Sequence, residues 1–119
     1  GGDCPVLTAA KTTVQEAIFA MTRAKAGAVA LADGKGRLAG IFTDGDFRRS
    51  ALSGGADFLK KPVEDFMTRG GKTVPVDALA VEALKVFQKF KISDLFAVDA
   101  RGRPAGYIDV QDLPKLKIL

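Results

Sequence analysis

The stretch Leu31–Arg49 reads LADGKGRLAGIFTDGDFRR, and sliding the chain over itself by 66 positions lays it on Ala97–Lys115, AVDARGRPAGYIDVQDLPK. Self-similarity at a fixed spacing is the mark of a repeated structural unit. The overlay pairs Asp33 with Asp99, Gly36 with Gly102, Arg37 with Arg103, Ala39 with Ala105, Gly40 with Gly106 and Asp46 with Asp112. Upstream at the same offset, Glu16 and Ala17 fall on Glu82 and Ala83, while Ile18 and Met21 fall on Leu84 and Phe87, so apolar character persists where identity is lost.

Working outward, each half reads as helix, strand pair, helix. In the first, Thr12 or Thr13 caps a helix whose apolar positions Val14, Ala17, Ile18, Met21 and Ala24 recur at helical spacing, with Gln15 or Glu16 closing a capping box. AVALA (28–32) reads as a buried strand, the glycines of DGKGR turn the chain, and LAGIF (38–42) forms the return strand. DGDFRRSAL then opens a second helix. In the second half Asp77 is expected to cap the helix AVEALKVFQKF, LFAV and PAGYI to be the strands, and a closing helix to start near Asp112 with Pro114 in its first turn. Between the halves, PVEDFM is expected to make a short helical turn filling the core with Val63, Phe66 and Met67, and RGG to lead into the strand TVPV. The expected division is a first motif over 1–55, a connector over 56–72 and a second motif over 73–119.

Composition limits the chemistry. A chain of 119 residues, 47% apolar, suits one compact domain or two very small motifs sharing a core. Its longest apolar runs are too short to cross a bilayer, and its first residues, GGDCPVL, lack the regions of a signal peptide, so the expected location is cytoplasmic, without a membrane partner. Cys4 is the single cysteine and histidine is absent, which removes disulfide frameworks, zinc clusters and imidazole triads. The formal charge of +4 is spread over several segments without interleaved aromatic residues, which favours a solvated face or an anionic ligand over nucleic acid. Glu16, Glu64, Asp44, Asp46, Asp109 and Asp112 could pair for acid and base work, but helix capping accounts for most of them, and no catalytic residue, metal or bound cofactor is expected.

The junction GIFTDGD (40–46) is the candidate site. A helix starting near Asp44 leaves unpaired N–H groups and partial positive charge where a phosphate can be held, with the Thr43 hydroxyl at its edge. Asp46, in the first turn, can accept from two adjacent ribose hydroxyls, and Arg48 or Arg49 can add charge opposite a phosphate. The same residues also make an ordinary capped helix with no ligand at all. At the second junction Asp109 stands where Thr43 stood, and two carboxylates there repel a phosphate, so one good site per chain, or two unequal ones, is expected.

Two such units joined by VEDFMTRGGKTV resemble a tandem pair of CBS motifs, a Bateman module, over essentially the whole chain. GRLAGIFTDGDFRR, PVEDFMTRGGKTV and PAGYIDVQDL resemble more narrowly the C-terminal part of bacterial D-arabinose 5-phosphate isomerases, in which a sugar isomerase domain precedes the CBS pair and feeds the pathway to the lipopolysaccharide sugar Kdo. The resemblance implies an α+β fold, with the two motifs packed as one pseudo-twofold compact module. It further implies a regulatory part without catalysis of its own, an isomerase domain as partner, and homodimerisation. Its effector is then a nucleotide: CMP-Kdo, the activated end product, or AMP or ATP. The family pattern carries phosphate and ribose contacts onto Thr43 and Asp46. It places the base near Leu7, Thr8, Ala9, Ala28 and Val29, and in the second motif near Val74, Pro75, Val76, Asp94 and Leu95, with Asp112 as hydroxyl acceptor. The competing reading is an assembly element with degenerate pockets.

Overall fold

A computed structural model describes residues 4–113. The first half contains β1 (Val6–Thr8), α1 (Val14–Ala24), β2 (Ala28–Ala32), β3 (Leu38–Thr43) and α2 (Asp44–Ala51). Two 3-10 turns, Phe58–Lys60 and Val63–Asp65, lead to β4 (Thr68–Arg69). The second half follows with β5 (Thr73–Pro75), α3 (Ala80–Phe90), β6 (Asp94–Val98), β7 (Pro104–Asp109) and a 3-10 turn at Val110–Asp112. One sheet has the order β1-β2-β3-β4 and the other β5-β6-β7; in each, the strand before the long helix lies parallel to the central strand, and the return strand lies antiparallel to it.

The repeat is reproduced atom by atom in the hairpin turns. Asp33 Oδ1 accepts from the N–H groups of Lys35 and Arg37 at 2.8 and 3.0 Å, and Asp99 Oδ1 accepts from those of Arg101 and Arg103, both at 2.9 Å. Those backbone bonds hold both carboxyls below the usual range. Gly36 and Gly102 have φ of +80° and +79°, a conformation that a side chain would strain. The two hairpins share their irregularity as well: the register slips between Leu31 and Ala32 in one and between Ala97 and Val98 in the other.

Alternation along the central strands decides what each half packs against. All five residues of β2 are buried. Val29 and Leu31 point into a core with Val14, Ala17, Met21 and Phe42, whereas Ala28 and Ala30 face the other way and meet Phe96 of β6. In the second half Leu95 and Ala97 pack on Ala83 and Phe87 of α3, leaving Asp94 and Phe96 on the face turned to the first half. The alanines are small enough to admit the Phe96 ring, which lies 5.3 Å from that of Tyr107. A carboxylate at Asp94, where the first half has Ala28, is therefore delivered into the seam between the halves.

The helix starts follow local chemistry. Thr13 caps α1 and forms a full capping box with Glu16. The α3 start corrects the expectation for Asp77: the helix begins three residues later, its cap is Leu79, and no side chain bonds to the cap. Leu79 stands where the first half has Thr13, so Glu82 lacks the hydroxyl that would complete a box. β1 and β4 were not expected as strands; both are two or three residues long, too short to show alternation. The closing helix expected from Asp112 is a single 3-10 turn capped by Asp109, and Pro114 lies outside the described residues. Among the described residues no helix is long and apolar enough to cross a membrane.

Candidate nucleotide site

Thr43 ends β3 and caps α2. Its hydroxyl accepts from the Asp46 N–H at 3.1 Å, while Asp46 Oδ2 accepts from the Thr43 N–H at 3.0 Å and from its hydroxyl at 3.1 Å. This box draws the Asp46 carboxylate inward until the residue is only 6% exposed. Two more donors reach it from outside the box: Arg49 at 2.7 Å, and the Thr68 hydroxyl at 3.0 and 3.3 Å from its two oxygens. Thr68 arrives because β4 pairs with β3, setting Thr68 opposite Ile41. The start of α2 is tied to the residue that precedes β2 by the Asp44 N–H, which donates to the Gly27 carbonyl at 3.0 Å.

Around this junction opens a cleft of about 750 Å³. One wall is Ile41 and Thr43–Asp46 with Arg48 and Arg49; the connector adds Thr68, Arg69, Gly71 and Lys72; the far wall is Phe90 and Ile92–Asp94. The size suits a nucleotide-scale ligand. Four cations, Arg48, Arg49, Arg69 and Lys72, share it with Asp44, Asp46 and Asp94. Arg49 is paired with Asp46, and among the described residues no ion pair engages Arg48, Arg69 or Lys72. Lys72 Nζ stands 4.2 Å from the centre of the Phe90 ring, which leaves an ammonium and an aromatic face together on one side of the cleft. Among the described residues no group of three metal-ligating side chains converges.

At the back of the cleft a polar link crosses the seam. The Gly27 N–H donates to the Tyr107 hydroxyl at 3.1 Å, and that hydroxyl donates to the Asp94 carboxylate. Burial pushes the Asp94 carboxyl above its ordinary range, reinforced by the charges of Asp109 and Asp44 and opposed by the Tyr107 bond. Tyr107 is likewise raised, by burial first and by its bond to Asp94 second. A Cβ on Gly27 would stand 2.8 Å from Asp94 Oδ1, so a side chain there would push aside the carboxylate on which the link depends.

Of the residues singled out in the sequence, Thr43, Asp46, Arg48, Arg49 and Asp94 meet in this cleft. Leu7 lines a separate groove beside α1, and Thr8 lies on the exposed edge of β1. Ala9, Ala28, Val29 and Leu95 are core residues with 4, 0, 0 and 1% exposure. Val74, Val76 and Asp112 line a smaller hollow of about 310 Å³ in the second half, beside Pro75. Thr68, Arg69, Gly71, Lys72 and Ser93 were missed as cleft residues. The one signal for the first four was the connector string MTRGGK, polar and glycine-rich between two apolar stretches, and Ser93 carried none.

The CBS domain family model matches residues 4–53 and again 63–116. An arabinose 5-phosphate isomerase, KdsD, of Pseudomonas aeruginosa is 43% identical over 108 residues, which is 91% of this chain and 33% of that protein. The chain thus spans about a third of the length of the curated relatives it matches. Among solved structures, the CBS domain pair of protein MJ0100 in complex with 5'-methylthioadenosine and S-adenosyl-L-methionine superposes with a TM-score of 0.79 at 24% identity, covering 92% of this chain and 85% of that one. PAE2072 of Pyrobaculum aerophilum, complexed with AMP, gives 0.78 at 17% identity, covering 95% and 85%. These two likenesses establish the fold.

Proposed function

The chain belongs to the CBS domain family, and from that membership we propose that it is the nucleotide-sensing regulatory part of an arabinose 5-phosphate isomerase, with the Thr43–Asp46 cleft as effector site. The observation that carries this reading is one cleft in which a capped helix start, a carboxylate acceptor and several cations converge. Asp46 is the acceptor for a ribose diol, and Arg48, Arg49, Arg69 and Lys72 are the partners for anionic groups. CMP-Kdo brings a diol, a phosphate and a sugar carboxylate, which suits cations spread over both walls. AMP or ATP is the other candidate, supported by what the solved relatives bind. Regulation follows if the ligand binds two arrangements of the module unequally, shifting the attached isomerase domain between them.

The test is a thermal-shift titration with CMP-Kdo, CMP, AMP and ATP. A ligand at 100 times its dissociation constant adds about 2.7 kcal/mol of stability. A saturable rise with CMP-Kdo alone identifies a pathway-specific sensor, a rise with AMP or ATP an energy sensor, and no rise with any refutes the site.

One observation favours an assembly role alongside. Phe19 on α1 is 62% exposed, and Leu79 and Val81 at the start of α3 are 65 and 42% exposed. Apolar side chains set outward on the long helices suit a homodimer. Sedimentation equilibrium showing only monomer across the accessible concentrations refutes it.

A further inference from the structure

Resting on the nucleotide-site reading, we propose that Arg49 makes binding in this cleft conditional on the ligand's phosphate: it holds the diol acceptor shut until an anion draws it away. An ionised carboxylate offers about four acceptor positions. Asp46 already receives the Thr43 N–H, the Thr43 hydroxyl, Arg49 and the Thr68 hydroxyl. A ligand diol therefore has to displace a resident donor. The Thr43 N–H bond belongs to the capping box and leaves only if the helix start unwinds, and the Thr43 hydroxyl oxygen is held beside the carboxylate because it accepts from the Asp46 N–H at 3.1 Å. Thr68 is fixed to β4, whose neighbouring Gly70 N–H is bonded to the Ala39 carbonyl at 2.9 Å. Arg49 is long and its side chain is 71% exposed, so it is the donor that can go.

The position of Arg49 adds the second half of the argument. One terminal nitrogen of its guanidinium lies 3.1 Å from where a Cβ on Gly45 would stand, so the group lies across the first turn of α2, at the edge of the cleft. A ligand carrying diol and phosphate gives Arg49 a new charged partner as it takes the old one. A nucleoside takes the old partner and offers none. Discrimination between nucleotide and nucleoside thus comes from both sides of one residue, as a clamp on the first and a barrier to the second.

The test is isothermal titration of the intact chain and of Arg49→Ala with CMP and cytidine, and with AMP and adenosine. In the native chain the preferred nucleotide binds well ahead of its nucleoside. In Arg49→Ala the nucleotide weakens by about tenfold while the nucleoside tightens several-fold, so the preference collapses from both directions. Arg49→Lys, which keeps the charge without the planar fork, lies between the two. Equal weakening of nucleotide and nucleoside in Arg49→Ala, or an unchanged nucleoside affinity, overturns the proposal. Failure of the native chain to bind any of the four probes overturns the proposal, and it removes the site itself only where CMP-Kdo and ATP also leave the stability of the chain unchanged. Inorganic phosphate supplies a further readout: it raises nucleoside affinity in the native chain and not in Arg49→Ala, and no effect in the native chain counts against the mechanism.

Discussion

Replacing Thr68 by valine keeps the shape of the side chain and removes one hydroxyl, the donor that ties β4 to the helix start of the first half. That hydroxyl stands 3.0 and 3.3 Å from the two oxygens of Asp46, whose side chain is 7% exposed. A hydrogen bond to a charged group contributes about 1.5–3 kcal/mol when its loss leaves the partner unsatisfied. Asp46 keeps three other donors, and Thr68 lies on an exposed strand where water can take part of its place, so the expected loss is about 1–2 kcal/mol. For a chain of this length that lowers the melting temperature by about 3–8 °C. Urea unfolding at neutral pH measures it, with an unchanged slope showing that native stability alone moved. Thr68→Ser restores the donor and recovers most of the loss. A Thr68→Val variant within about 0.3 kcal/mol of the native chain, or a serine variant no better than the valine one, refutes the idea that Thr68 anchors Asp46.

Other perturbations test other parts of the account. Leu79→Thr supplies the missing cap of α3 opposite Glu82 and is expected to stabilise the chain by about 0.5–2 kcal/mol in the same assay; no gain contradicts the pseudo-symmetric reading of the two helix starts. Gly40→Ala places a Cβ 2.7 Å from the Thr68 carbonyl and 2.7 Å from Met67 Sδ, so β4 is pushed off β3 at a cost of about 1–3 kcal/mol, seen as faster hydrogen exchange at the Gly70 amide. Asp94→Asn keeps an acceptor for Tyr107 and removes a charge that burial, Asp109 and Asp44 all disfavour. Its carboxyl is raised in the native state above the ordinary 3.8, so the native state holds a proton that the unfolded chain has lost, and stability falls as pH rises from 3.8 through the raised value. Asp94→Asn is expected to lose that acid-side dependence and to be at least as stable at pH 7. Retention of the native pH profile refutes the assignment.

Much of this architecture was legible because repetition and periodicity report on local physics. The turn residues Asp33, Gly36 and Arg37 recur at Asp99, Gly102 and Arg103, and identical hydrogen bonds follow from identical backbone demands. Thr43 and Asp46 were visible as a cap with an acceptor attached. What the residues did not disclose was partnership at a distance. Nothing local at Thr68 says that its hydroxyl reaches a carboxylate 22 positions away, and nothing at Ser93 or Lys72 says that these residues face Thr43 across a cleft. Ala28 and Val29 carried the opposite lesson: their strand runs close to the junction, yet alternation sends one into the seam and the other into the core. Aspartate suits a helix cap, but at Asp77 the chain turns first, through the bond from the Ala78 N–H to the Pro75 carbonyl, and the helix begins beyond it.

The central claim is that a nucleotide occupies the cleft between the Thr43 junction and the connector. Backbone amide NMR during titration with whichever of CMP-Kdo, CMP, AMP or ATP stabilises the chain tests it most directly. The account predicts saturable shifts concentrated at Gly45, Asp46, Thr68, Lys72, Ser93 and Asp94, on both walls at once. Shifts confined to the α1 groove around Phe19 and Arg23, or to the hollow around Val76 and Asp112, would contradict it.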